Sequence, residues 1–188
     1  MILDIIKVVY YDQLLFIPYV FGNSPLFTSG LFFPHEAKNK KFLAFKCLDK
    51  AKEIITEMGV QYNKESQEFI NIDNIVNWIK GNGVISINEI MALNTFIFDY
   101  IIYAYDGELP KYFVGYSDNM GQLLQLYTSI LRTNLYANIK EDAPKMVVPE
   151  IEEVSDEEIN LILNTPELKQ EVEVRLSFFK THIKIINN

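Results

Sequence analysis

The sequence predicts an α+β protein in which an N-terminal antiparallel β meander packs on a predominantly helical body. Three observations carry that expectation. Residues 2–48 fall into short runs of β-branched and aromatic residues separated by turn formers. Ser86–Tyr105 is the most hydrophobic long stretch, and its S-x-x-E opening (Ser86, Glu89) is a capping box, so it reads as a central buried helix over 86–105. Beyond it, apolar residues recur at three-and-four spacing to the end of the chain.

Composition bounds the rest. A chain of 188 residues is most economically a single domain, 1–188, with enough apolar material (49% of residues hydrophobic and 13% of residues aromatic) for a sizeable core. The lone Cys47 permits no internal disulfide and reads as a small buried residue; Met1-Ile2-Leu3-Asp4 lacks the basic start of a signal peptide, so the cytoplasm is the expected place. A net charge of −8 argues against nucleic acid or an anionic membrane as partner, since like charges repel. The one basic run, Lys38-Asn39-Lys40-Lys41, has no stacking aromatics around it and reads as a solvated loop.

In chain order, Ile5–Tyr11, Leu14–Phe21, Leu26–Phe33 and Lys41–Leu48 are expected strands, with Asp12-Gln13, Gly22–Pro25 and Pro34–Lys40 between them. Leu3, Ile6, Tyr10 and Leu14 also fit helical spacing, which leaves a helix over Leu3–Leu15 as the competing reading. Pro18 suggests that the second strand lies at an edge. Asp49–Gly59 reads as a short helix, and Asp73 as the cap of a helix over Asn74–Lys80 that ends at Gly81-Asn82-Gly83 and carries the single Trp78 as a core residue.

In the helix over 86–105, Asn88, Ala92, Thr95 and Asp99 form one narrow polar stripe while apolar residues, Ile102 among them, cover the other sides. Those polar positions argue against a membrane span. Tyr112–Tyr116 reads as a short strand. Ser117 or Asp118 caps a helix running through Asn138, a second S-x-x-E box at Ser155–Glu158 starts another, and Thr165-Pro166-Glu167 starts a last one to about Ile186.

Motifs for chemistry are scarce. His35 and His182 have no metal-ligand spacing and read as exposed or capping imidazoles. No phosphate-binding glycine loop, dinucleotide fingerprint or nucleophile elbow is present, so no cofactor and no catalytic residue is expected. Asn94 falls about 120° from the polar stripe on apolar territory, so its amide must be buried and partnered. A clamp to a loop backbone is the expected role, and a polar handle in an aromatic ligand pocket is the alternative.

Charge is unequally placed. Residues 141–175 hold eleven acids against Lys145, Lys169 and Arg175, while the rest of the chain has fourteen of each sign. The whole excess therefore sits on residues 141–175, within an expected acidic helical arm over 141–188. Glu150, Glu152, Glu153, Asp156, Glu157 and Glu158 are the candidate partner-binding residues, a field able to steer a protein partner with a basic surface.

At Glu89-Ile90-Met91-Ala92-Leu93-Asn94-Thr95-Phe96 and at Pro149 with Ser155-Asp156-Glu157-Glu158-Ile159, the chain resembles small acidic bacterial proteins of the toxin-immunity type. Those pair an Asn after a large apolar residue with a late P-x-x-[ST]-x-E-E-I-like helix start; Leu93 departs from the Trp of that pattern. The resemblance spans about residues 85–163. It implies a stoichiometric, non-enzymatic inhibitor that binds a basic toxin or effector, and it assigns no residues. A phage-encoded inhibitor of a host defence protein, and a small-molecule-binding domain or enzyme with its pocket near Asn94, remain alternatives.

Overall fold

The N-terminal runs form a hairpin: β1 (Ile2–Tyr10) and β2 (Gln13–Ser24) pair antiparallel from Ile2↔Phe21 to Tyr10↔Gln13. The computed structural model describes residues 2–24, 27–32, 35–36, 40–57, 69–105, 108–111, 113, 117–142 and 154–187. β3 (Phe27–Phe32) and β5 (Lys41–Phe45) both pair with β2, and β4 (His35–Glu36) pairs with β5, all antiparallel. Two later strands join in parallel, β6 (Phe69–Asn71) on β1 and β7 (Ile183–Ile186) on β5. The result is a mixed sheet following the path β4-β5-β2-β1-β6, with β3 beside β2 and β7 beside β5.

Strand alternation sorts side chains to the two faces, as the pleat requires. Ile6, Val8, Tyr10, Leu15, Ile17, Phe42 and Ala44 enter the main core, while Ile5 and Phe45 pack on the opposite face with Ala51 of helix α1 (Leu48–Glu57). The main core is closed by α2 (Ile72–Ile79), α3 (Ile87–Ala104), α4 (Asp118–Asp142), α5 (Asp156–Leu163) and α6 (Pro166–His182). The architecture is α+β, as expected. At its centre Phe42 meets the rings of Phe96 and Tyr100 from α3 and Phe179 from α6 at 5.0–5.2 Å, edge-on or tilted.

The α3 start follows local instruction: Ser86 Oγ accepts from the Glu89 amide at 3.3 Å, and Glu89 accepts from the Ser86 amide at 2.9 Å. Burial pushes the Glu89 carboxyl up, but hydrogen bonds from the Ser86 amide, the Asn74 side chain and the Ser86 hydroxyl outweigh it and hold the group below its ordinary range. Ile102, placed among the apolar sides by sequence, is 45% exposed. It stands fourteen residues after Asn88, so it continues the stripe of Asn88, Thr95 and Asp99 rather than leaving it. Among the described residues, no helix is long and apolar enough to cross a membrane.

Several expectations are corrected. The competing helix over Leu3–Leu15 is absent, and the stretch is the hairpin that the strand reading expects. β2 is central despite Pro18, which falls between the β5-paired Phe16 and the β3-paired Val20, where the strand changes partner. Asn71, not Asp73, caps α2, accepting from the Asn74 amide at 2.9 Å. α4 runs to Asp142 rather than stopping at Asn138. The last helix stops at His182, because the β-branched run Ile183–Ile186 finds a parallel partner in Phe42–Phe45 and extends instead. His35 lies in a two-residue strand rather than a loop. Cys47 is exposed, in the link between β5 and α1, rather than buried. Of the strand expected at Tyr112–Tyr116, only Phe113 is among the described residues, and it is buried.

The turn of the first hairpin is strained. Tyr11 (φ +50°) and Asp12 (φ +54°) occupy the left-handed region that a two-residue hairpin loop requires and that Asn-Gly normally fills. An L-residue there costs ~1–2 kcal/mol, less for Asp than for Tyr. Asp73 of α2 offsets it, its two carboxylate oxygens accepting from the Tyr11 amide at 2.9 Å and the Asp12 amide at 2.7 Å. The double change Tyr11→Asn/Asp12→Gly should raise unfolding stability by about 1 kcal/mol in urea melts, and Asp73→Ala should lower it by about 1–2 kcal/mol. A loss on the first change would show that the tip is not strained.

Candidate functional site

Helix α6 is striped by Leu168, Glu171, Val172, Arg175, Leu176, Phe179 and His182, all buried and all at i, i+3, i+4 spacing. Three members of the stripe are polar, so each must be satisfied inside the protein. Arg175, fully buried, donates from Nε to Asn94 Oδ1 at 2.8 Å and from Nη1 to the Glu171 carbonyl at 3.2 Å. Its Nη2 lies 2.9 Å from Glu171 Oε1. The rings of Phe98 and Phe113 flank the guanidinium, with centroids 5.5 and 5.2 Å from Cζ. Glu171 Oε2 accepts from the Ser117 amide at 3.0 Å, where Ser117 itself caps α4 through Met120. One ion pair thus joins α3, α6 and the start of α4.

Asn94 is buried as its position predicts, and its Oδ1 accepts from the Arg175 side chain. Sequence reasoning counted Arg175 only as one of three bases on the arm. Its position seven residues after Leu168 and four after Glu171 was the available signal. His182 likewise departs from expectation: it is 7% exposed and stacks on Phe178 with ring centroids 3.9 Å apart. Because a carbonyl only accepts, Nδ1 carries the proton toward Phe178 O at 2.8 Å, and neutral Nε2 accepts from the Tyr105 hydroxyl at 2.7 Å. Burial drives the His182 pKa down; the Phe178 carbonyl opposes this, and the charges of Lys41 and Lys40 add to it. With both ring nitrogens occupied, this imidazole braces α6 against the end of α3.

The candidate partner-binding carboxylates lie outside that interior. Asp156, Glu157 and Glu158 are exposed on the first turn of α5, where acids also suit the positive end of the helix dipole. Glu158 is turned back to the Ser155 amide at 3.1 Å and hydroxyl at 3.0 Å, so Asp156 and Glu157 are the two acids of that turn without a capping role. Glu150, Glu152 and Glu153 lie outside the described residues. Glu141 and Asp142 are exposed at the end of α4, and Glu167 and Glu173 on α6. The same helices expose apolar surface: Leu131 (49%) and Leu135 (56%) one turn apart on α4, and Leu161 (71%) on α5. Among the described residues, no group of three or more His, Cys, Asp or Glu is arranged to hold a metal ion.

No family model matches this chain, and no curated protein matches it. Among solved structures, the crystal structure of the SatS C-terminal domain in complex with bromine is similar over 98% of this chain and 94% of that one, at a TM-score of 0.44 and 9% identity.

Two outcomes follow from the interior geometry. Arg175→Met should destabilise the protein by about 3–5 kcal/mol by stranding a buried carboxylate, and Arg175→Met with Glu171→Gln should recover most of the loss; equal destabilisation of both would refute the pairing. His182 is neutral in the folded and unfolded states above its ordinary value of 6.5. As pH falls below that, the unfolded chain takes up the proton first, so stability drops until the depressed folded pKa is passed. An NMR titration should place the His182 imidazole below 6.5, and a value at or above it would remove this acid sensitivity.

Proposed function

We propose that this chain is a non-enzymatic interaction protein of the immunity or inhibitor kind, recognised through an acidic face on α4 and α5 by a protein with a basic surface. One observation carries the proposal. Burying Glu171 with Arg175 removes one charge of each sign, so the surplus of eight acids on residues 141–175 is undiminished, and every member of it among the described residues is exposed. Exposed leucines on the same two helices supply the apolar contact that charge alone lacks, since steering raises the encounter rate while buried apolar anchors hold the complex. Masking a basic effector stoichiometrically needs no catalytic group on this chain.

The test is a pull-down from the source cell at about 50 and 300 mM salt, a range over which surface electrostatics are increasingly screened. The bait is the wild-type chain or the variant Glu152→Lys/Glu153→Lys/Asp156→Lys/Glu157→Lys. Glu158 is left intact because it closes the α5 cap. A basic protein retained at low salt, released at high salt and lost by the variant with unchanged circular dichroism is the expected result. Equal retention by both baits would reject the acidic face as the recognition surface.

A further inference from the structure

The strained turn of the first hairpin opens onto a groove that the proposed protein interface does not use. The groove has a volume of about 340 Å³, within the range of small-ligand sites, and runs along one face of α2 between the hairpin tip and α6. Val76 and Ile72 form its apolar floor; Tyr10, Tyr11, Asn77, Lys80 and Lys180 supply polar groups around it.

Lys80 and Lys180 bring ammonium groups and Asn77 an amide. The Tyr10 phenol is pushed up to about 12 by burial, by its hydrogen bond to Tyr11 and by the nearby charges of Tyr11 and Asp73, so it stays protonated. The lining also holds two carboxylates, which balance the two ammonium charges; Asp73 is directed at the turn amides and the Asp12 carboxylate has no part in holding the turn, so Lys80 and Lys180 are the cationic donors of the groove that those amide contacts do not engage. With the charges balanced, the selection for an anion comes from the N–H and O–H donors of Lys80, Lys180, Asn77 and the two tyrosines. Tyr11 adds a ring that is 69% exposed, held 4.4 Å from Tyr10 in a backbone conformation that the hairpin would meet more cheaply with Asn.

We propose that this groove binds a small aromatic anion, its ring laid on Tyr11 and its carboxylate or phosphate held by Lys80 and Lys180. The ring could belong to a free metabolite or to a phosphorylated aromatic side chain, and the two share this chemistry.

Phenyl phosphate, benzoate, a phosphotyrosine peptide, inorganic phosphate and benzyl alcohol are the probes, followed by amide chemical shifts of the full chain. Saturable shifts at Tyr11, Asn77 and Lys80 with phenyl phosphate or benzoate are expected, with weaker binding of inorganic phosphate and of benzyl alcohol. Tighter binding of the peptide than of phenyl phosphate would assign the anion to a side chain, and the reverse order to a free molecule. Lys80→Gln/Lys180→Gln should weaken phenyl phosphate about tenfold or more. Tyr11→Asn, which relaxes the turn and so keeps the fold, should also weaken it severalfold. Absence of saturable shifts up to about 10 mM, equal binding of benzyl alcohol, or unchanged affinity in both variants would overturn the proposal.

Discussion

A guanidinium with no solvent exposure is the constraint around which this molecule is arranged. Taking Arg175 out of water costs several kcal/mol unless its charge and its donors are met inside. Here Glu171 meets the charge from one turn earlier on the same helix, Asn94 takes Nε, and the faces of Phe98 and Phe113 close over the plane. Each partner comes from a fixed place: Asn94 and Phe98 one turn apart on α3, Glu171 on α6, Phe113 from the segment before α4. The helices cannot slide or rotate against one another without breaking that set.

The same pair shapes the exterior. A buried Glu with a buried Arg is neutral as a unit, so it withdraws nothing from the charge imbalance of the C-terminal third. Of the acids that remain, Asp156, Glu157 and Glu167 stand in first turns, where the dipole favours them, while Glu141 and Asp142 stand at the C-terminal end of α4, where it does not; α4 and α5 also expose leucines that the core does not take in. α6 meanwhile passes through the core and hands the chain to β7, so the acidic part of the sequence is tied to the sheet at its far end.

What could be read from residues alone was whatever depended on near neighbours. The boxes at Ser86–Glu89 and Ser155–Glu158, the proline at the start of α6 and the hairpin runs are instructions completed within a few residues, and each is realised. The burial of Asn94 was legible from helical phase. Its partner was not, because Arg175 lies eighty-one residues away and only tertiary packing brings them together. Pro18 misled because its rule concerns a strand with one continuous neighbour, whereas β2 changes neighbour at that point. Ile183–Ile186 misled because helix start signals say nothing of a parallel strand waiting at Phe42–Phe45. His182 looked peripheral near the end of the chain, yet its phase on α6 placed it on the buried stripe all along.

The central claim, that the Arg175 knot fixes α3, α6 and the start of α4 against one another, is tested most directly by hydrogen exchange at its own Nε–H, read from the side-chain resonance in water. If the knot holds α3, α6 and the start of α4 together, that proton exchanges only through global unfolding, with the same free energy as the slowest core amides of α3. Exchange orders of magnitude faster than those amides, through a local opening that leaves them protected, would contradict it.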